Sequence, residues 1–68
     1  MTYRLVNRHT KAITEVGDAV EYAGRDYKIY DIEPPASGEP MGGVKIEFMQ
    51  EVIEVEPASI GCRWLWVL

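Results

Sequence analysis

The chain has 68 residues, of which seven are Lys or Arg and eleven are Asp or Glu, so its formal net charge is −4. This length supports one domain with a small core. Cys62 is the only cysteine, which excludes an internal disulfide and a zinc site built from several cysteines.

The N-terminal pattern predicts short extended segments separated by polar residues. We expect a strand at residues 2–7, a polar loop at 7–11 and a weaker strand at 12–16. Gly17-Asp18 then predicts a turn, because both residues tolerate the backbone angles that a reversal needs.

The next segment predicts a β-hairpin with strands at 19–22 and 26–33 around a tight corner at 23–26. In the longer strand the apolar phase slips, since Tyr27 and Ile29 alternate on one face whereas Tyr30 and Ile32 alternate on the other. The slip indicates either a β-bulge or a strand covered on both faces.

A loop rich in proline and glycine is predicted at residues 33–43, since proline lacks a ladder donor and glycine is costly to order. A two-stranded meander follows: Val44, Ile46 and Phe48 share one face, and after a turn near Gln50-Glu51 the alternation continues through residues 53–56.

The C-terminal pattern predicts a single 3₁₀ turn at residues 57–61, which begin with proline and end with glycine. Residues 62–68 then predict a closing strand that is apolar on both faces. Because no segment shows helical spacing over more than two turns, we expect an all-β domain spanning residues 1–68, rolled into a small closed barrel.

The order of these elements over residues 16–68 resembles the SH3-like small β-barrels, including the KOW and Tudor-type variants. The residues that carry the resemblance are Gly17-Asp18-Ala19-Val20, the Tyr-x-Ile-x-x-Ile run at 27–32, the meander at 44–55 and the turn at 57–61. The resemblance implies about five or six short antiparallel strands with the 3₁₀ turn before the last one.

The chain departs from the peptide-binding SH3 domains, since it lacks their aromatic run early in the first loop and their paired tryptophan. Polyproline binding is therefore not carried over, and no methyl-lysine cage can be placed residue by residue. In size the chain also resembles the short orphan reading frames of phage and prophage genomes.

A search for catalytic constellations gives none. His9 lacks partners at metal-ligand spacing, Ser37 and Ser59 have no base nearby, and Gly42-Gly43 is not followed by the Lys-Ser/Thr of a phosphate-binding loop. Cys62 is expected to be a buried, inert thiol. We therefore expect a protein that is not an enzyme, without cofactor, metal or small-molecule substrate.

The C-terminal strand and the glutamates of the meander are the candidate partner-binding residues. Trp64 and Trp66 share one phase and Leu65 and Val67 the other, which indicates either an interaction surface or core filling. The glutamates are Glu47, Glu54 and Glu56, of which the first two could be cross-strand neighbours. They indicate either an acidic docking face for a basic partner or a solvated exterior.

Two functional hypotheses follow. The first is a small interaction module that binds another protein, or itself, through the tail strand and the adjoining acidic face, with an acidic decoy for a host nucleic-acid-binding protein as a variant. The alternative, which the net charge disfavours, is a nucleic-acid-associated barrel. Its contacts would be Arg4, Arg8, Lys11, Arg25 and Lys28, with Tyr3, Tyr22 and Tyr27 as stacking surfaces.

The expected location is cytoplasmic. The chain shows no basic-then-apolar leader, and no apolar run approaches the roughly 20 residues that span a bilayer. A single cysteine also fits a reducing compartment.

Overall fold

The computed structural model describes residues 2–35 and 42–67, which form an all-β fold, as the sequence predicts. No α-helix occurs in these two ranges. The elements in chain order are β1 (Thr2–Asn7), β2 (Ala19–Tyr22), β3 (Arg25–Glu33), β4 (Gly43–Phe48), β5 (Glu51–Val55), a 3₁₀ turn (Pro57–Ile60) and β6 (Cys62–Val67).

The strands form two antiparallel sheets, one made of β1 and β6 and the other in the order β2-β3-β4-β5. The expected closed barrel is therefore wrong for the described residues, because β5 and β6 are not paired with each other. The 3₁₀ turn carries the chain from one sheet to the other, and Gly61 ends it in the left-handed region at φ 71°. This turn is confirmed where the sequence predicts it.

The inner faces of the two sheets meet in a small apolar core. Leu5 of β1 and Cys62 of β6 pack in one cluster with side chains of the four-stranded sheet. Val44 and Ile46, which are fully buried, confirm the predicted inner phase of β4. The remaining buried members of the cluster are Ile29, Val55 and Ile60.

The weak strand expected at residues 12–16 is wrong, since only one bridge forms there, between Ile13 and Val6. Beyond it the chain leaves β1, and the Gly17 N–H donates to the Ile29 carbonyl of β3 at 2.9 Å. The segment therefore lies beside β1 only around Ile13, before it crosses to the four-stranded sheet. The turn expected at Gly17-Asp18 is present, with the Glu15 N–H donating to the Asp18 carboxylate at 2.9 Å.

The phase slip in β3 is a β-bulge, which is one of the two alternatives that the sequence predicts. The register against β4 shifts between Ile29 and Asp31, and Tyr30, the extra residue, is exposed. The β4–β5 turn is centred on Met49 and Gln50 rather than near Gln50-Glu51, since both residues have positive φ and β5 already begins at Glu51.

Some sequence expectations fall outside the described residues. The loop expected at 33–43 includes residues 36–41, and the closing strand was expected to include Leu68. Where the described residues resume, the flanks agree with the prediction, because β3 ends at Glu33 and β4 begins at Gly43.

Candidate interaction surfaces

The backbone hydrogen bonds of β1 show which of its residues bond to β6 and which bond to the segment on its other side. The Asn7 N–H donates to the Ala12 carbonyl at 2.9 Å, and the Leu5 carbonyl accepts from the Thr14 N–H at 2.8 Å. Residues of an antiparallel pair alternate between exchanging hydrogen bonds with the partner and directing them away from it. The odd-numbered residues of β1 therefore direct their backbone polar groups away from β6.

The same alternation identifies a free edge on β6. Arg63 lies opposite Val6 and Leu65 opposite Arg4, so these odd-numbered residues of β6 exchange backbone hydrogen bonds with β1. The N–H and C=O groups of Trp64 and Trp66 consequently face the opposite edge, where the described part of the chain places no strand. Within residues 2–35 and 42–67, the backbone groups of this edge pair with no strand.

The side chains of β6 alternate between the inner and the outer face of the β1–β6 sheet. Trp64 is half-buried and packs against the core, whereas Trp66 is 46% exposed. The Trp66 ring meets the Tyr3 ring edge to face at a centroid distance of 4.8 Å. On the outer face, Leu65 is half-buried and Val67 is 36% exposed. The strand thus has partly exposed apolar side chains on both faces.

Of the three candidate glutamates, only Glu56 lies beside the tail strand. It lines an open depression of about 380 Å³ together with Pro57, Ala58, Arg63 and Trp64. Glu47 and Glu54 lie on the four-stranded sheet, in the phase opposite to the core. The residues expected to form one partner surface are therefore divided between two places.

Glu47 and Glu54 are cross-strand neighbours on the diagonal and not directly opposite each other. In the β4–β5 register Glu47 lies opposite Val52, and Glu54 lies opposite Lys45. The position of the turn sets this register, which places a lysine rather than a second carboxylate opposite Glu54.

The outer face of the four-stranded sheet carries a net negative charge. Its paired positions contain six carboxylates and two lysines, an excess of four negative charges that equals the net charge of the whole chain. One ion pair is formed on this face among the described residues, between Lys45 and Glu33 at 3.9 Å. The carboxylates are Glu21, Asp26, Asp31, Glu33, Glu47 and Glu54.

The outer face of the β1–β6 sheet has the opposite charge. Its paired positions hold Arg4 and Arg63 as diagonal neighbours and no carboxylate. Arg8 follows in the same phase, and its N–H extends the ladder by donating to Gly61 at 3.0 Å. Sequence reasoning missed Arg63, because its phase has meaning only once β6 is paired with β1.

The other candidate nucleic-acid contacts lie apart from this face. Lys28 lies opposite Glu47 on the acidic outer face. Arg25 places its guanidinium over the Phe48 ring, 4.6 Å from the centroid. The Phe48 ring contacts Tyr27, which meets Tyr22 edge to face. Lys11 is exposed in the loop after β1 and its Nζ donates to the Arg8 carbonyl at 3.3 Å.

Cys62 is 3% exposed, so the thiol is buried as expected. Its Sγ donates to the Ile60 carbonyl at 3.6 Å and lies 3.7 Å from the Thr14 hydroxyl. His9 is exposed in the loop after β1. Within residues 2–35 and 42–67, no group of three or more His, Cys, Asp or Glu side chains is placed to hold a metal ion.

No protein-family model, curated protein or solved structure matches this chain. The residues that the structure describes form no helix long and apolar enough to cross a membrane. Its function must therefore be inferred from the geometry of its own surfaces.

Proposed function

We propose that this chain is a non-enzymatic interaction module that binds an extended strand of another polypeptide along the free edge of β6. The observation that carries the proposal is the row of backbone groups at Trp64 and Trp66, which face away from β1 and pair with no other described strand. An exposed strand edge is a template for a further strand, whose main chain supplies affinity through hydrogen bonds.

The side chains of β6 would add specificity to such pairing. The exposed part of Trp66 lies on the inner face against Tyr3, and Val67 lies on the outer face. A bound strand would place its own apolar side chains beside both. Tryptophan is enriched among residues that dominate binding energy, because it buries a large rigid area.

Glu56 and its neighbouring depression extend the proposed surface at the N-terminal end of β6. The carboxylate of Glu56 lies near the edge there, and Arg63 lines the same depression. Glu56 would favour a partner strand that carries a Lys or Arg at this end. The buried free thiol of Cys62 fits a cytoplasmic setting, where thiols stay reduced.

The free edge can be tested without a partner by amide hydrogen exchange in the isolated chain. Exchange of the Trp64 and Trp66 amides is expected to be fast, and that of the Arg63 and Leu65 amides slow, because only the latter donate to β1. Equal protection of all four amides in dilute monomeric protein would contradict a free edge.

Binding can be tested with a displayed library of random linear peptides selected on the intact chain. The matched variants are Trp66→Ala, which keeps the backbone donor, and Trp66→Pro, which removes it on the solvent side of an edge strand, where proline is tolerated. Strand addition requires that proline abolish binding of a selected peptide and that alanine only weaken it. Equal loss in both variants, or no selected peptide at all, would remove the proposal.

Nucleic-acid binding is a second candidate, favoured by the outer face of the β1–β6 sheet, which holds Arg4, Arg8 and Arg63 and has no carboxylate at its paired positions. Arg25 and Lys28 do not belong to that face. The variant function, an acidic decoy, would use the acidic outer face of the four-stranded sheet. Titration of labelled single- and double-stranded DNA at low salt tests the second candidate; binding that does not weaken as salt is raised would exclude a phosphate-contacting role.

A further inference from the structure

We propose that copies of this chain associate head to tail, with the acidic outer face of one four-stranded sheet against the basic outer face of the next copy's β1–β6 sheet. This contact goes beyond the proposed strand addition, because it uses the faces of the two sheets and not the edge of β6. The chain would therefore carry both halves of its own binding contact.

The acidic half lies on a continuous part of the four-stranded sheet. Across one row, Lys28 lies opposite Glu47, which in turn lies opposite Val52. Across the next row, Asp31 and Glu54 flank Lys45. Glu21 and Asp26 add two carboxylates on β2 and β3. Most of these carboxylates have no cation within ion-pair distance among the described residues.

The basic half is smaller and partly apolar. Arg4 and Arg63 are diagonal neighbours, and Leu65 and Val67 lie between and beyond them on the same face. Val6, opposite Arg63, is 1% exposed and so adds no contact area to this face. Two residues beyond the bridge between Val6 and Ile13, Glu15 follows in the position next to Arg4, so the face carries one carboxylate beside its arginines. Arginine suits such a face because its planar guanidinium binds carboxylates through two parallel hydrogen bonds.

The two faces point in opposite directions, because the inner sides of the two sheets meet in the core. An acidic face on one copy can therefore meet the basic face of a second copy that has the same orientation. Val52, 40% exposed, lies in the acidic face and supplies an apolar surface opposite Leu65 and Val67. Such a contact is heterologous and does not close, so it extends into longer chains of copies.

A second copy fits these faces better than an unrelated partner because the two faces of the chain carry charges of opposite sign. Copies also repel one another through their net charge of −4. Salt weakens this long-range repulsion more than it weakens the short-range attraction across the contact. The Debye length is about 10 Å at 0.1 M salt, shorter than the 34 × 24 × 17 Å extents of the molecule. Repulsion between distant faces is then screened, whereas attraction across the contact persists.

The first measurement is the weight-average mass by light scattering and sedimentation over a range of protein concentrations. At about 0.1 M salt the mass is expected to rise above the monomer value of 7.7 kDa and to keep rising with concentration. At about 1 M salt, where the Debye length is about 3 Å, it is expected to return to the monomer value. A monomer at 0.1 M, or a mass that does not respond to salt, would overturn the proposal.

The decisive measurement is a charge exchange between the two faces. One variant carries Arg4→Glu and Arg63→Glu, and the other carries Glu47→Lys and Glu54→Lys. Each alone is expected to associate at least about tenfold more weakly than the original chain. In the first variant two acidic faces meet, and in the second the acidic face loses its excess of four negative charges. An equimolar mixture is expected to regain association, since the unaltered acidic face of the first variant meets the unaltered basic face of the second.

Controls separate this contact from strand addition and from misfolding. Glu51→Lys reverses a charge in the β4–β5 turn region away from the outer face and is expected to leave association unchanged. Trp66→Pro, which blocks the β6 edge, is also expected to leave it unchanged. Mixed variants that fold by circular dichroism but do not associate would refute the contact, and association lost in Trp66→Pro would assign it to the β6 edge instead.

Discussion

The turn between β4 and β5 allows a quantitative check of the register that forms the acidic face. Met49 and Gln50, its two central residues, have φ angles of 49° and 68°. A residue with a side chain costs about 1–2 kcal/mol in this left-handed region, and two-residue hairpin turns consequently prefer Asn-Gly. We therefore expect the double variant Met49→Asn/Gln50→Gly to be more stable than the original chain.

The magnitude follows from the exposure of the turn. The Met49 side chain is 82% exposed, so its removal loses little buried area. Removing the cost of the left-handed backbone at both positions raises the free energy of unfolding by about 2 kcal/mol. About 0.5–1 kcal/mol of this is lost because glycine makes the unfolded chain more flexible. The net gain in the free energy of unfolding is about 1 kcal/mol, equivalent to a rise in Tm of about 4–8 °C for a domain of this size.

Urea unfolding followed by tryptophan fluorescence measures this gain. The midpoint is expected to rise with an unchanged slope, since the surface exposed on unfolding is nearly the same. Met49→Ala is the matched control and is expected to stay within about 0.5 kcal/mol, because alanine keeps the same backbone cost. No gain in the double variant would refute the left-handed turn, and with it the register that places Lys45 opposite Glu54.

Three further outcomes test the core, the 3₁₀ turn and the thiol. Ile46→Ala, at a fully buried position, is expected to lower the free energy of unfolding by about 2–5 kcal/mol, while Val52→Ala on the outer face changes it by less than about 0.5 kcal/mol in the same urea titration. Gly61→Ala is expected to cost about 1 kcal/mol, since φ is 71° although no atom obstructs a Cβ there; an unchanged Tm would argue against that backbone angle. The Cys62 thiol is expected to react with a disulfide reagent only after unfolding, so rapid labelling in native buffer would contradict its burial.

Local patterns in the sequence predicted most individual elements correctly. The period of two in residues 44–48 marks the buried face of β4, and Pro57 with Gly61 marks the 3₁₀ turn. These features depend on backbone angles and side-chain alternation, which neighbouring residues set. The SH3-like resemblance stays a prediction, since no known protein or structure matches the chain.

The errors share a cause, which is that contacts between distant segments and an unusual turn override local strand propensity. Residues 12–16 have the composition of a strand, but the bonds of Gly17 and Asp18 to Ile29 draw the chain towards β3. The pairing of Glu54 with Lys45 likewise depends on a turn of two non-glycine residues at positive φ. Propensity alone does not predict such a turn.

The sequence by itself determined the all-β class, the phase slip in β3, the burial of Cys62 and the two-faced apolar tail, because each depends on local alternation or on side-chain chemistry. Tertiary structure decided that the sheets stay separate, that Trp64 and Trp66 face a free edge, and that Arg63 joins Arg4 opposite an acidic face. Those facts depend on strand register, and a shift of one residue would exchange the two faces of a strand.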